Sequence, residues 1–442
     1  MHVLKLDTLA DWKRTHYTSA VSPQLDGEDV TLFGWVQENR DLGGIRFIIL
    51  QDREGTLQIT IPKKRVDAEV LLKSEMLQKR YCIAVKGTVK QTKMTPRGIE
   101  VIPKQIKILN TAATQLPIDV TGKTPANIET RLDARALDLC QEENVAAFKI
   151  QHTVLEAIRE FLFEQGFREV HTPRIIATAT EGGAALFSVD YFESKAFLAQ
   201  SPQLYKEQLV MSLEKVFEVG PFFRAEVSNT RRHLSEFVSV DIEKAFANAE
   251  EVMALLEQVI HHACTAVKEK CSSELSVLKH KLEVPDVPFK RLTYSQVLDD
   301  LKKAGVEIPF GEDIPTEAFR TLGKLYPHFY FITDWPTHAK TFYIKPREDN
   351  PELCEGFDLM WRWIELVSGG TRISDKELLV SRLQEQGLNP EAFASHLQAF
   401  DYGMPPHAGW AIGLERLTMI LTGKKNIREV TLYPRDRSRL TP

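Results

Sequence analysis

From residue 29 to residue 110, apolar positions come in short runs: VTLFGWV, IRFIILQD, TLQITIP, YCIAVKGTV and IEVIPKQIKIL. Glycines and charged turns separate them. Strand-length runs rich in β-branched residues, bounded by turn residues, predict five strands closing into a small barrel. Between the third and fourth runs, residues 62–80 read as helical. Residues 111–146 carry Pro117, Pro125 and the charged stretch RLDARALDL, and read as a hinge. From residue 147 the period changes. Val154, Leu155, Ile158, Phe161 and Leu162 recur at helical spacing, and Gly166 is placed to cap the helix. GFREVHTPRI follows, with Pro173 at a strand edge. Runs at 215–223, 236–246, 357–367 and 408–413 predict strands of an antiparallel sheet, with a helix over 249–270 and an insertion over 284–350. The expected class is α+β: a barrel domain over 1–110, a hinge over 111–146, and over 147–442 a second domain with a sheet flanked by helices.

The chain has 442 residues, too many for one ordinary core, and is 43% hydrophobic and 26% charged, as expected of a folded soluble protein. No window approaches the roughly 18 apolar residues of a membrane span. The first residues lack the apolar core and cleavage site of a signal peptide. Five cysteines are scattered without metal-ligand spacing, which predicts reduced thiols in a cytoplasmic protein. Net charge is −5, but residues 1–110 hold 18 Lys and Arg against 13 Asp and Glu. The barrel is the basic part, which is compatible with phosphate contacts there.

Candidate chemistry concentrates in PFFRAEVSNTRRHLSEFVSVDIEKAF (221–246) and HAGWAIGLERLTMIL (407–421). Each places an arginine, Arg224 or Arg416, where a strand meets a loop or helix. Two fixed guanidiniums suit two phosphates of one nucleotide, because each is a planar donor fork that stays charged. FDLMWRWIELVSGG (357–370) carries Asp358 and Glu365. Seven apart on one straight strand they would face opposite sides, so a bulge or bend is needed for both to reach one ion.

These segments, in this order, resemble motifs 2 and 3 of class II aminoacyl-tRNA synthetases, and the helix, strand and Pro173 unit resembles motif 1, the dimer-forming motif. The resemblance extends over nearly the whole chain and is nearest to aspartyl-tRNA synthetases of the archaeal and eukaryotic kind (class IIb). It implies that the barrel is an OB-fold reading the anticodon, and that the second domain joins L-aspartate to tRNA(Asp) through an adenylate, as a homodimer, with ATP as substrate and Mg²⁺ as cofactor. Arg224 matches the α-phosphate arginine, Glu226 the adenine-reading glutamate, Arg232 and His233 positions near the γ-phosphate, Phe237 the adenine-stacking aromatic, and Arg416 with Gly413 the motif 3 phosphate site. Gly409 and Gly413 are expected to allow close backbone approach. Glu365 and Asp358 match magnesium ligands. Lys206, in AQSPQLYKEQL, and Arg372, in SGGTR, match two cations for the substrate's side-chain carboxylate. Glu181, Ser201, Gln203, Asp241 and Ser368 match positions around its backbone and α-amino group. The glycine-rich ATATEGGA (177–184) is expected to close over substrate. After SGGTR the chain reads ISDKELL, where the family carries polar, His-containing residues, so support around Arg372 is expected to differ.

In the barrel, Phe47 and Gln58 match the residues that stack on and hydrogen-bond the central anticodon uridine, and Glu100 a further contact. Aspartate and asparagine anticodons, GUC and GUU, share that uridine and differ at the third base. Family enzymes strict for tRNA(Asp) carry Trp and Lys where this chain has Gln37 and Pro96, and relaxed ones His and Pro. The expectation is charging of tRNA(Asn) as well. Rival readings are an asparagine–tRNA ligase, against which Lys206 speaks, and a non-catalytic tRNA-binding protein, against which Arg224, Glu226, Glu365 and Arg416 speak. A generic single-strand binder would leave the second domain unexplained.

Overall fold

The computed structural model describes residues 5–178, 186–225 and 232–442. It divides into two compact units, Met1–Glu142 and Glu143–Pro442.

In the first unit, β1 (Asp29–Leu42), β2 (Ile45–Asp52), β3 (Gly55–Pro62), β4 (Cys82–Gln91) and β5 (Ile99–Asn110) form a closed barrel in the order β1-β2-β3-β5-β4. Inward residues alternate along each strand and fill the core: Leu32, Val36, Ile48, Leu50, Ile59, Ile61, Ile83, Val85 and Val101. Gly34 and Gly87 sit where strands press closest, since a Cβ would lie 2.3 Å from the Gln51 oxygen at one and 2.4 Å from the Ile102 oxygen at the other. The expected helix between strands is the shorter α1 (Ala68–Met76). The segment expected as a hinge is irregular over 111–127, then forms short helices, and most of it belongs to the barrel's unit. It holds α2 (Ile128–Asp133), capped by the Asn127 side chain, and α3 (Arg135–Asp138). Gln51 Nε2 donates to the Cys140 oxygen at 2.7 Å, and Arg135 pairs with Asp138 at 2.6 Å in a fully buried position.

The second unit opens with α4 (Glu142–Glu164), ended by Gly166 at φ +79°, and runs into β6 (Arg168–Glu169). A small sheet follows, made of β7 (Ile175–Ile176), β8 (Ser188–Tyr191) and β9 (Ser194–Leu198), then α5 (Gln203–Leu213). Next come β10 (Lys215–Phe223), β11 (Glu236–Ala245), α6 (Ala249–Lys270) and α7 (Ser272–Val277). The stretch expected as an insertion adds β12 (Lys290–Thr293), α8 (Tyr294–Lys303), α9 (Thr316–Leu325) and β13 (Phe329–Thr333). The chain then forms β14 (Gly356–Trp361), β15 (Ile364–Thr371), α10 (Lys376–Glu385), α11 (Ala394–Phe400), β16 (His407–Gly413) and α12 (Leu414–Thr422).

Among the described residues the main sheet has eight strands, in the order β12-β13-β14-β15-β16-β11-β10-β6, antiparallel except for its two outermost pairs. It is wider than the hydrophobic runs predict, because β12 and β13 from the 284–350 stretch extend one edge. The expected single strand over 357–367 is a hairpin: β14 turns at Arg362 (φ +54°) into β15, with a bulge between Leu359 and Met360. Alternation decides the sheet's faces. Val240, Ile242, Trp410, Ile412 and Val367 enter a core shared with α4, α6 and α12, where Trp410 Nε1 donates to the Val252 oxygen at 3.0 Å. Their neighbours Ser239, Asp241, Glu243 and Ser368 therefore point to the other face.

Candidate active site

On that other face, β16 contributes only small residues after its first, His407. Gly409 lies opposite Glu243 and Gly370, and Ala411 opposite Asp241 and Ser368. A Cβ at Gly409 would stand 2.3 Å from Glu243 Oε2, so its glycine is a requirement of packing. Gly413 is different. The atoms nearest a Cβ there would be those of the Arg416 side chain, at 3.8 Å, so no strand packs against this glycine as Glu243 packs against Gly409.

The floor separates two charged regions. One is a cleft of about 140 Å³ lined by Arg224, Arg232, His233, Phe237, Glu365, Ser368, Gly413 and Arg416, among others. Arg224 follows β10 and lies with its guanidinium carbon 5.4 Å from the Phe237 ring centre. Arg416 sits in the first turn of α12. Its Nη1 donates to the Glu365 backbone oxygen at 2.8 Å and lies 3.8 Å from that residue's carboxylate. Arg232 stacks over Trp363, at the β14–β15 turn, at 4.3 Å, and Arg320 from α9 lies over the same ring at 5.1 Å. Burial lowers the Arg232 pKa, and the charges of Arg416 and Arg320 lower it further. Such like-charge crowding is relieved by a polyanion. Beneath the cleft, Glu415 accepts from the Val238 amide at 3.0 Å, and burial pushes its carboxyl up to about 7.

The hairpin supplies the bend that Asp358 and Glu365 require. Asp358 pairs with Ser368 across the strands, and Met360 with Glu365. Burial raises the Asp358 carboxyl above its ordinary range, against Lys340 and with Glu365 adding to the rise. Lys340 Nζ lies 2.6 and 2.7 Å from the two Asp358 oxygens. Two electrostatically coupled carboxylates beside an arginine cleft fit a divalent cation shared with phosphates. Asp358 would have to divide its oxygens between that ion and Lys340.

The second region is a buried pocket. Lys206, in the second turn of α5, is 2% exposed and Arg372 is 3% exposed. Lys206 Nζ lies 3.2 Å from Asp241 Oδ1, 3.2 Å from the Ile242 oxygen and 3.4 Å from Glu243 Oε2. Arg372 donates from Nε to Glu243 Oε1 at 2.9 Å and from Nη2 to Oε2 at 3.3 Å, and its guanidinium lies over the Tyr343 ring. The structure thus brings both cations together, on the carboxylate of Glu243. Gln203 donates to Glu207 at 2.5 Å, and the Ser201 hydroxyl accepts from the Gln203 amide at 3.3 Å. In the departure after Arg372, Asp375 caps α10 by accepting from the Leu378 amide at 2.7 Å. Glu181, Glu226 and nearly all of the 177–184 loop lie outside the described residues.

Sequence reading missed Glu243, Lys340, Arg320 and Trp363. Glu243 was within reach, because it stands two residues after Asp241 on one strand and must share its face. The other three come from the stretch read as an insertion and from a hairpin turn.

On the barrel, Phe47 is half-buried and stands opposite Thr60, outside the barrel core. Thr60 Oγ1 donates to Glu100 Oε2 at 2.7 Å, while Gln58 Nε2 reaches Thr60 Oγ1 at 3.0 Å and Glu100 at 3.4 Å. Phe47, Gln58 and Glu100 therefore meet around Thr60. Gln37 is the extra residue of a bulge between Val36 and Glu38. Pro96 is exposed in the β4–β5 turn, beside Arg97, whose guanidinium donates to four backbone oxygens.

Residues 127–437 match the family of tRNA synthetases class II (D, K and N), and residues 30–109 match the OB-fold nucleic acid binding domain. The chain belongs to the class II tRNA synthetases of this group. Within it, the chain is 52% identical over 428 residues to the Aspartate--tRNA(Asp/Asn) ligase of Methanopyrus kandleri, covering 96% of this chain and 99% of that one. It is 49% identical to the enzyme of the same name from Methanothermobacter thermautotrophicus, covering 98% and 100%. Among solved structures, asparaginyl-tRNA synthetase from Pyrococcus horikoshii complexed with asparaginyl-adenylate superposes with a TM-score of 0.93 at 31% identity, covering 97% and 100%. Aspartyl tRNA synthetase from Entamoeba histolytica gives 0.86 at 32%, covering 97% and 93%. Among the described residues no helix is long and apolar enough to cross a membrane.

Proposed function

We propose that the chain activates L-aspartate with ATP and transfers it to tRNA(Asp) and also to tRNA(Asn). The observation that carries this reading is the buried meeting of Lys206 and Arg372 on one carboxylate, at 3.4 and 2.9 Å. A site that already holds a carboxylate with both cations has the chemistry for an anionic side chain. A carboxamide would offer the two cations no charge-assisted hydrogen bond. The Arg372 bonds to Glu243 run through Nε and Nη2, which leaves Nη1 for the ligand. Asp241 would meet the α-ammonium.

ATP would bind in the arginine cleft next door. The substrate α-carboxylate attacks the α-phosphorus in line, pyrophosphate leaves, and an aspartyl-adenylate forms. This chemistry needs positioning and positive charge more than proton transfer. Arg224 faces the α-phosphate, Arg232, His233 and Arg416 the distal phosphates, and Phe237 the adenine. The start of α12 adds its positive end. Glu365 and Asp358 would hold Mg²⁺, which when bound screens charge on the phosphates. The Phe47, Gln58 and Glu100 cluster would read the central uridine. Gln37 and Pro96, near the third base, lack the ring area and charged donor that would favour C over U.

The protein is further expected to be a cytoplasmic two-fold dimer. Aminoacylation with labelled Asp and Asn, against tRNA(Asp) and tRNA(Asn) separately, tests the reading. Asp on both tRNAs is the expected result. Asn as the preferred amino acid would make it an asparagine–tRNA ligase. A preference for tRNA(Asp) above about a hundredfold, or ~2.7 kcal/mol, would remove the relaxed range. Sedimentation near twice 50.3 kDa tests the dimer.

A further inference from the structure

Behind Arg372 lies a second buried charge cluster. Glu207, next to Lys206 on α5, is fully buried. Its Oε1 accepts from Gln203, and its Oε2 lies 3.3 Å from His396 Nε2 on α11 and 3.6 Å from His407 Nε2 at the start of β16. The two imidazoles differ on their far sides. His407 Nδ1 lies 2.8 Å from the Pro405 backbone oxygen, which can only accept, so Nδ1 carries a proton. A neutral ring would then turn its Nε2 lone pair onto a carboxylate, whereas a second proton makes the same contact attractive. His396 Nδ1 lies 3.3 Å from the Gln208 amide nitrogen, a donor, so a neutral His396 can present its N–H to Glu207.

The groups facing His407 are Glu207 from α5, His396 from α11, Glu243 from β11 and Arg372 beyond β15. The link to the pocket is direct: the Arg372 amide donates to the His407 oxygen at 2.9 Å. With His407 charged, Glu207, Asp241 and Glu243 balance Lys206, Arg372 and His407. With His407 neutral, the buried group carries a net negative charge toward a substrate that is itself an anion.

We propose that Glu207 and His407 form a buried ion pair that positions Arg372 and keeps the pocket electrically balanced, making both of them specificity-determining residues for an anionic amino acid. This rests on the aspartate reading above. Burial opposes the His407 cation, but the facing Glu207 carboxylate outweighs it and raises the imidazole above its ordinary value. On Glu207, burial is likewise outweighed by the two imidazoles, which hold the carboxyl well below the usual range.

The test is aspartate-dependent ATP–pyrophosphate exchange from pH 6 to 9, with KM taken separately for aspartate and ATP, on the whole protein, His407→Gln, Glu207→Gln and the double variant. In the unaltered protein the aspartate KM should climb about tenfold as pH rises through the His407 transition, with the ATP KM flat. His407→Gln leaves Glu207 uncompensated and should raise the aspartate KM about tenfold already at pH 6.5. Glu207→Gln should lose the pH-dependent climb. The double variant, with both charges gone, should return to within about threefold of the unaltered protein. A purely structural role would make the double variant at least as poor as either single one, and that result overturns the inference, as does an unchanged aspartate KM in His407→Gln. Absence of aspartate-dependent exchange in the unaltered protein would overturn the proposed activity as well, which distinguishes the two failures. Should the variants not fold, ¹⁵N spectra of histidine-labelled protein decide. A ring that stays charged well above the ordinary imidazole range and shifts with aspartate supports the pair, and its absence overturns it.

Discussion

Replacing Lys206 by Met keeps the length and apolar stem of the side chain and removes its charge. The ammonium stands between Asp241 and Glu243, at 3.2 and 3.4 Å. At an effective dielectric of about 20, a unit pair at such a distance interacts by ~5 kcal/mol, and the variant regains only the cost of having dried the ammonium. Removing one partner of a buried pair costs about 3–5 kcal/mol, because the other charge stays buried. Arg372 still holds Glu243, so the lower end applies to the fold. About 3 kcal/mol corresponds to a melting decrease of roughly 5 °C for a unit of this size. For the substrate, a lost charge-assisted hydrogen bond at a buried site is worth about 2–5 kcal/mol, or roughly thirtyfold to a few thousandfold in affinity. The assay is aspartate-dependent ATP–pyrophosphate exchange, with calorimetric titration of ATP as control. Aspartate KM should rise by that factor while ATP affinity stays within about twofold, since the nucleotide cleft does not include Lys206. Lys206→Arg should not rescue, because a planar fork cannot take the place of a compact ammonium in a pocket this closed. Near-normal aspartate activation by Lys206→Met would refute the assignment of the pocket.

Arg224→Ala should abolish adenylate formation while leaving tRNA binding and the assembly state intact, and comparable exchange rates would contradict its phosphate role. Glu415→Gln should raise the melting temperature at pH 8 and leave it unchanged at pH 5. The folded carboxyl titrates near 7, above its unfolded value of about 4.5, so its ionisation drains stability as pH rises between the two. The gain at pH 8 is at most about 3 kcal/mol, and equal shifts at both pH values would refute it. Phe47→Ala should weaken charging of tRNA about tenfold or more and leave pyrophosphate exchange alone, because base stacking is worth about 1–3 kcal/mol. Gln37→Trp combined with Pro96→Lys should raise the tRNA(Asp) preference, and an unchanged ratio of charging efficiencies would remove both residues from the explanation.

The barrel strands, the helices α4 and α6, and β10, β11 and β16 were all legible in the chain, because each carries its own period of apolar residues and its own turn signals. The arginines of the cleft were legible too, through their place at strand ends in a recurring order. Local pattern could not show that 357–370 folds back on itself. The apolar run continues through Trp361, Arg362 and Trp363, and only pairing with β13 and β16 makes it two strands. Nor could it assign partners. Lys206 and Glu243 are 37 positions apart, and Arg372 lies 129 beyond Glu243. Lys340 and Arg320 join the site because β12 and β13 widen the sheet and bring their flanking segments over it, and Trp363 joins it at the β14–β15 turn. The same is true of Glu207, His396 and His407, three residues from three separate elements whose charges acquire meaning only when burial removes the water between them. Elements follow from side-chain periodicity along one segment. Sites follow from which distant segments share a dry, low-dielectric space, and that is a property of the packed chain alone.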